Sequence, residues 1–123
     1  MNNNKIFDID PADFVKLCQK WIDDRLGINT KIIDVRGKSS LADFIVITSG
    51  NSVRQVHAIS QNIQDSASQM GIEPKSVEGD QECRWVLLDY YDVIIHVFHE
   101  EEREFYNLER LWQDDLRPSK QEK

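Results

Sequence analysis

The sequence predicts one mixed α/β (α+β) domain, a five-stranded mixed sheet flanked by helices in the order α-β-β-α-β-β-β-α. Three observations carry this. The stretch WVLLDYYDVIIHVF (85–98) holds two apolar arms around a Tyr90-Tyr91-Asp92 turn, and its Val, Ile, Leu and aromatic residues suit a pleated, covered surface. Neither arm alternates cleanly, which predicts strands covered on both faces near the middle of a sheet. FIVIT (44–48) is a further continuous apolar run, expected as a central strand. Two other segments, one before FIVIT and one after it, place apolar residues at helical spacing instead.

In chain order, residues 1–9 are polar and expected to be a flexible terminus. Asp10 as N-cap and Pro11 at the first helical position open helix one, with Asp13 in its first turn. Phe14, Leu17, Cys18, Trp21 and Ile22 form its apolar stripe, and Gly27 stops it. Trp21 belongs to that stripe, so it reads as core. KIIDVR (31–36) is a short strand, GKSS (37–40) a break, and FIVIT the antiparallel partner.

SGNS (49–52) turns the chain into a long helix, with Ser52 and Gln55 spaced as a capping box. Val56, Ile59, Ile63, Ala67 and Met70 line one face, and Gly71 ends it. Pro74 and a strand over 75–78 complete a β-α-β crossover, right-handed if its strands are parallel. After the 85–98 stretch, a last helix is expected over about Glu100 to Asp114, with Phe105, Leu108, Leu111 and Trp112 on one side. The domain therefore spans 10–115, and residues 116–123 form a flexible charged tail.

At 123 residues the chain can bury a core without disulfide or metal support. Cys18 and Cys83 lie far apart and outside any CxxC pattern, so they read as buried thiols in a reducing cytoplasm. No apolar run approaches the ~20 residues of a membrane helix. The opening MNNNKIFDID lacks the basic and apolar regions of a secretory signal, which gives a cytoplasmic expectation. The net charge of −7, with 22 acidic residues against 15 basic ones, disfavours direct nucleic-acid binding. It suits a basic protein partner instead.

Candidate chemistry is thin. The SGNS turn enters a helix N-terminus, where amides and dipole favour phosphate, but it matches neither GxxxxGK[ST] nor GxGxxG, and its serine is explained as a cap. Asp89 and Asp92 bracket the hairpin turn; a cation-binding acid pair on a strand usually has one residue between, so turn closure is the better reading. His96 and His99, three apart on a strand, point to opposite faces and have no further ligand nearby. No catalytic residue, cofactor site or metal site is expected. Aromatic density stands out instead: Trp85, Tyr90, Tyr91, Phe98, Phe105, Tyr106 and Trp112 crowd the last strands and helix. Tyr and Trp, with Arg, are the residues that dominate protein-interface energetics.

The stretches ADFIVITSGNSVRQVHAI (42–59), VEG (77–79) and RWVLLDYYDVIIHVFHEEEREFYNLERLW (84–112) resemble the Iojap/RsfS family of ribosomal silencing factors, in the same order and over about residues 10–113. The resemblance implies a fold related to nucleotidyltransferases but without their catalytic acids. It implies a translation repressor that binds the large ribosomal subunit through its ribosomal protein fourteen, blocks joining of the small subunit, and is a homodimer when free. The family's WVLLD, HVF and R-x-x-Y-x-L-E-x-L-W motifs match Trp85 to Asp89, His96 to Phe98 and Arg103 to Trp112. The resemblance thereby places Trp85, Tyr90, Phe98, Arg103 and Tyr106 in the ribosomal-protein interface, with Glu102 and Glu109 as charge partners. The family carries Gly where this chain has Tyr91, so the hairpin turn is expected to differ. The competing expectation is a nucleotidyltransferase-like phosphoryl-transfer enzyme using SGNS, Asp89 and Asp92 with a divalent metal.

Overall fold

The computed structural model describes residues 9–107 and contains the eight expected elements in the expected order. They are α1 (Pro11–Asp23), β1 (Ile28–Asp34), β2 (Phe44–Gly50), α2 (Val53–Gln69), β3 (Ser76–Glu78), β4 (Trp85–Asp89), β5 (Val93–His99) and α3 (Glu100–Tyr106). The sheet order is β1-β2-β5-β4-β3. β2 and β5 run parallel, while β1–β2, β5–β4 and β4–β3 are antiparallel. Two antiparallel steps bring β3 parallel to β2 at the far side of the sheet. The crossover through α2 therefore spans the sheet rather than joining neighbours.

Alternation along the strands divides the core in two. Phe44 and Val46 of β2, Val86 and Leu88 of β4, and Val93, Ile95 and Val97 of β5 pack with Phe14, Val15, Cys18, Trp21 and Ile22 of α1 and with Val56, Ile59, Ile63 and Ala67 of α2. Ile45, Ile47 and Phe98 face the other way, with Val35 and Ala42 beside them. All seven residues of β2 are buried, as its unbroken apolar run predicts. β4 departs from expectation: Val86 and Leu88 are buried, whereas Trp85, Leu87 and Asp89 are only half-buried. Its apolar composition reflects helices on one face and a partly open apolar surface on the other.

Local details follow the side chains. Asp10 occupies the N-cap position of α1 without a side-chain capping bond, so Pro11 and the acidic first turn mark the start. Ser52 does cap α2, its Oγ accepting the Gln55 amide at 3.1 Å. Gln55 Oε1 accepts the amide of Asn51 rather than that of the cap residue, at 2.7 Å. Its Nε2 donates to the Leu26 carbonyl at 2.8 Å, so one side chain joins the end of α1 to the start of α2. β1 starts three residues earlier than KIIDVR, and a bulge between Ile28 and Lys31 carries Asn29 at φ 51°. α3 reaches a left-handed cap at Asn107, so the expected continuation through Leu108, Leu111 and Trp112 lies outside the described residues.

Tyr90 is 2% exposed, its ring edge-on to Phe14 at 5.1 Å, and its hydroxyl has no hydrogen-bond partner among the described residues. An unsatisfied buried hydroxyl is a standing cost. Tyr90→Phe removes it without changing the ring, and should stabilise the domain by about 1 kcal/mol. Thermal unfolding should then show a rise of roughly 3–6 °C; a fall would mean the hydroxyl has a partner.

Candidate functional site

The sheet face turned away from α1 and α2 is centred on three strands, with Ile33 of β1 packed at its margin. On β4 it presents Trp85, Leu87 and Asp89; on β5, Ile94, His96 and Phe98; on β2, Ile45 and Ile47. The hairpin register pairs Trp85 with Phe98, Leu87 with His96 and Asp89 with Ile94. Cross-strand neighbours on one face touch, and here they form an aromatic set. Trp85 and Phe98 stack at 4.9 Å between ring centroids, with an interplanar angle of 29°. His96 lies against Phe98 at 6.0 Å and 13°. The Trp85 Nε1–H donates to His96 Nδ1 at 3.1 Å. The indole can only donate, so His96 accepts through Nδ1 and carries its proton on Nε2. Gly79, at φ 80°, lets the chain pass against the start of β4; a Cβ there would collide with the Trp85 carbonyl oxygen.

Beside this set, Leu41, Lys75, Leu87, Asp89, Tyr91, Asp92 and Ile94 line an open groove of ≈ 450 Å³. Leu41 is 71% exposed. The turn keeps a glycine-type conformation despite its tyrosine, since Tyr91 stands at φ 71°. Asp89 Oδ1 accepts the Tyr91 amide at 2.8 Å, which holds this bend. The Asp92 carboxyl is pushed up, first by burial and then by the negative charge of Asp43.

α3 is fastened at the end of β5. His99 caps it, Nδ1 accepting the Glu101 amide at 3.2 Å. Arg84 donates to Glu102 at 2.7 Å and to Glu101 at 3.3 Å, and these acids raise its pKa. Arg103 Nη1 reaches Ser49 Oγ at 2.8 Å and the Ile28 carbonyl at 3.2 Å. A second cleft of ≈ 440 Å³, lined by Ile28, Asn29, Lys31, Ser49, Glu100, Arg103, Glu104 and Asn107, opens beside these contacts.

The structure sorts the expected interface residues. Trp85 is half-buried on the open face. Tyr90 and Phe98, expected at the interface, are instead interior, Tyr90 under α1 and Phe98 beneath Trp85 at 0% exposure. Glu102 pairs within the chain to Arg84, because the start of β4 lies beside α3. Arg103 ties α3 to β1 and β2. The side chain of Tyr106 and all of Glu109 lie outside the described residues. Leu41, Leu87, Tyr91 and Ile94 join Trp85 in lining this face, a grouping that needs the hairpin register to be seen. His57 and Cys83 also meet, with Nδ1 and Sγ 3.8 Å apart. Burial, followed by Asp80, pushes the thiol pKa up, and Cys83 donates to the Asp80 carbonyl at 3.1 Å, so it is a poor nucleophile. Among the described residues no group of three or more His, Cys, Asp or Glu side chains could hold a metal, and no helix is long and apolar enough to cross a membrane.

Burial holds the His96 pKa down at about 4, from the ordinary 6.5. The unfolded chain gains a proton below pH 6.5 that the folded chain refuses until about pH 4. This contribution to stability is present above pH 6.5 and is lost as pH falls toward 4. Denaturant unfolding at pH 7 and 4.5 should show a loss about 2–3 kcal/mol smaller in His96→Gln than in the unaltered chain. Equal losses would mean that His96 titrates normally.

The family model described as "Ribosomal silencing factor during starvation" matches residues 8–123. The ribosomal silencing factor RsfS of Bacillus subtilis is 45% identical over 100 residues, covering 81% of this chain and 85% of that protein. The one from Halalkalibacterium halodurans is 42% identical over 102 residues, covering 83% and 87%. A mitochondrial Iojap-related protein of Arabidopsis thaliana is 30% identical over 99 residues, covering 76% of this chain and 53% of that one. Among solved structures, a Chromobacterium violaceum protein superposes with a TM-score of 0.83 at 28% identity, covering 85% of this chain and 88% of its own. A Bacillus halodurans protein gives 0.76 at 40% identity, covering 82% and 94%. A match over nearly the whole chain, with the same sheet in solved relatives, shows that this protein belongs to the RsfS family of ribosomal silencing factors.

Proposed function

We propose that this chain represses translation by binding the large ribosomal subunit through its ribosomal protein fourteen, where its bulk blocks joining of the small subunit. The observation that carries the reading is the open sheet face. Leu41, Leu87, Tyr91 and Ile94 line a groove together with Lys75, Asp89 and Asp92, and half-buried Trp85 lies on the same sheet face, on a chain of net charge −7. Apolar and aromatic anchors bordered by charge are the pattern of a protein-binding surface, and acidic edges suit a basic ribosomal protein. Phe98 backs this surface from beneath, and Arg103 and Glu102 hold α3 beside it. Tyr106 and Glu109 are proposed as further contacts with the same partner. The mechanism is steric and needs no bond chemistry, cofactor or metal. In this reading the protein acts in the cytoplasm, and the same apolar face pairs two free copies as a homodimer.

The test uses isolated ribosomal protein fourteen and purified subunits. Leu41→Asp changes an exposed side chain and should leave the fold intact, yet weaken binding by about 10-fold; Trp85→Ala should weaken it by about 30-fold or more. Sedimentation of mixed subunits should show fewer joined ribosomes with the unaltered protein, and recovery with either variant. Failure of the unaltered chain to bind that protein or the large subunit would overturn the reading.

A further inference from the structure

We propose that His96 is a positioning residue for partner recognition, selecting one orientation of the Trp85 indole on the open sheet face. The inference rests on the functional reading above and adds a residue whose side chain is nearly out of solvent contact. Three features of the hairpin lead to it.

Within the sheet, β3 pairs with β4 at Leu87, Leu88 and Asp89, and Trp85 pairs with Phe98 of β5. Phe98, directly opposite, provides a stacking surface at 4.9 Å. Stacking restrains the plane of an indole but has little preference between the ring and its flipped form, since both present a flat apolar face. The hydrogen bond does discriminate. The indole has a single polar atom, and only one of the two flips brings Nε1 to the 3.1 Å contact with His96 Nδ1.

His96 is well placed to impose that choice. It sits on β5, between β2 and β4, is 6% exposed, and lies against Phe98 at 13° between ring planes. Its position is fixed on a buried interior strand, and the bond links that strand to a half-buried ring on the partner-facing side. A ring ordered before binding costs less to immobilise in the complex. Loss of the acceptor should therefore weaken binding although His96 itself offers the partner almost no surface.

The experiment combines indole N–H resonances with a double-mutant cycle on the full chain. The three tryptophans give three indole signals, and Trp85→Phe identifies the one of interest. His96→Leu should shift that signal upfield, speed its exchange with solvent, and weaken binding to ribosomal protein fourteen by about 3- to 10-fold. His96→Asn keeps an acceptor at the δ position and should recover much of both. In the Trp85→Phe background, whose ring has no N–H, His96→Leu should weaken binding no further. An unmoved indole signal, undiminished binding by folded His96→Leu, or an equal loss in both backgrounds would overturn the proposal. If the unaltered chain does not bind ribosomal protein fourteen, the functional reading fails and positioning for that partner fails with it. The indole signal then separately shows whether His96 orders the ring.

Discussion

The parallel pairing of β2 with β5 is the constraint on which the rest of the molecule depends. Phe44 through Gly50 run beside Val93 through His99 in continuous register, with apolar side chains committed to both faces. A strand covered on both faces needs material above and below it. α1 and α2 supply one cover. Both strands end at the same level, and the chain leaves β2 into the capped turn before α2 and β5 directly into α3. The Arg103 contact with Ser49 closes the gap between those two exits.

The consequence is a sheet with unequal faces. The helical side is an ordinary apolar core, in which Tyr90, Phe14 and Trp21 pack edge to face. The other side combines fully buried Ile45, Ile47 and Phe98 with half-buried Trp85, Leu87 and Ile94. Apolar side chains left partly open beside acidic ones are costly for a free monomer and useful to a protein that binds another protein. Side chains of the 49–52 turn and the hairpin make contacts within the chain: Ser52 caps a helix, Ser49 receives Arg103, and Asp89 holds the hairpin bend.

Family membership and the half-open aromatic face are independent findings. The first rests on sequence matched over residues 8–123, the second on which side chains the hairpin register exposes. Tyr91 shows how they differ. It holds a left-handed bend at φ 71°, with the Asp89 carboxylate accepting its amide. The bend places a large aromatic side chain in the lining of the groove, which sequence matching alone does not reveal.

Every element and its order could be read from the sequence, because apolar periodicity, the Pro11 start, the Ser52 cap and the Gly71 stop act within a few residues of one another. α1, however, ends at Asp23, and Leu26 rather than Gly27 takes the left-handed position after it. The motifs that reveal the family were legible for the same reason. The fate of individual aromatics was not. Tyr90 and Tyr91 are adjacent and chemically identical, yet one is sealed beneath α1 and the other lines the open groove. Trp85 and His96 are eleven positions apart and meet only because a three-residue loop sets a diagonal across two strands. The sequence by itself determined which segments become strands and helices, since those preferences are local. Only the tertiary structure decided which side chains are core and which are surface, because burial belongs to the register and to whatever packs on each face.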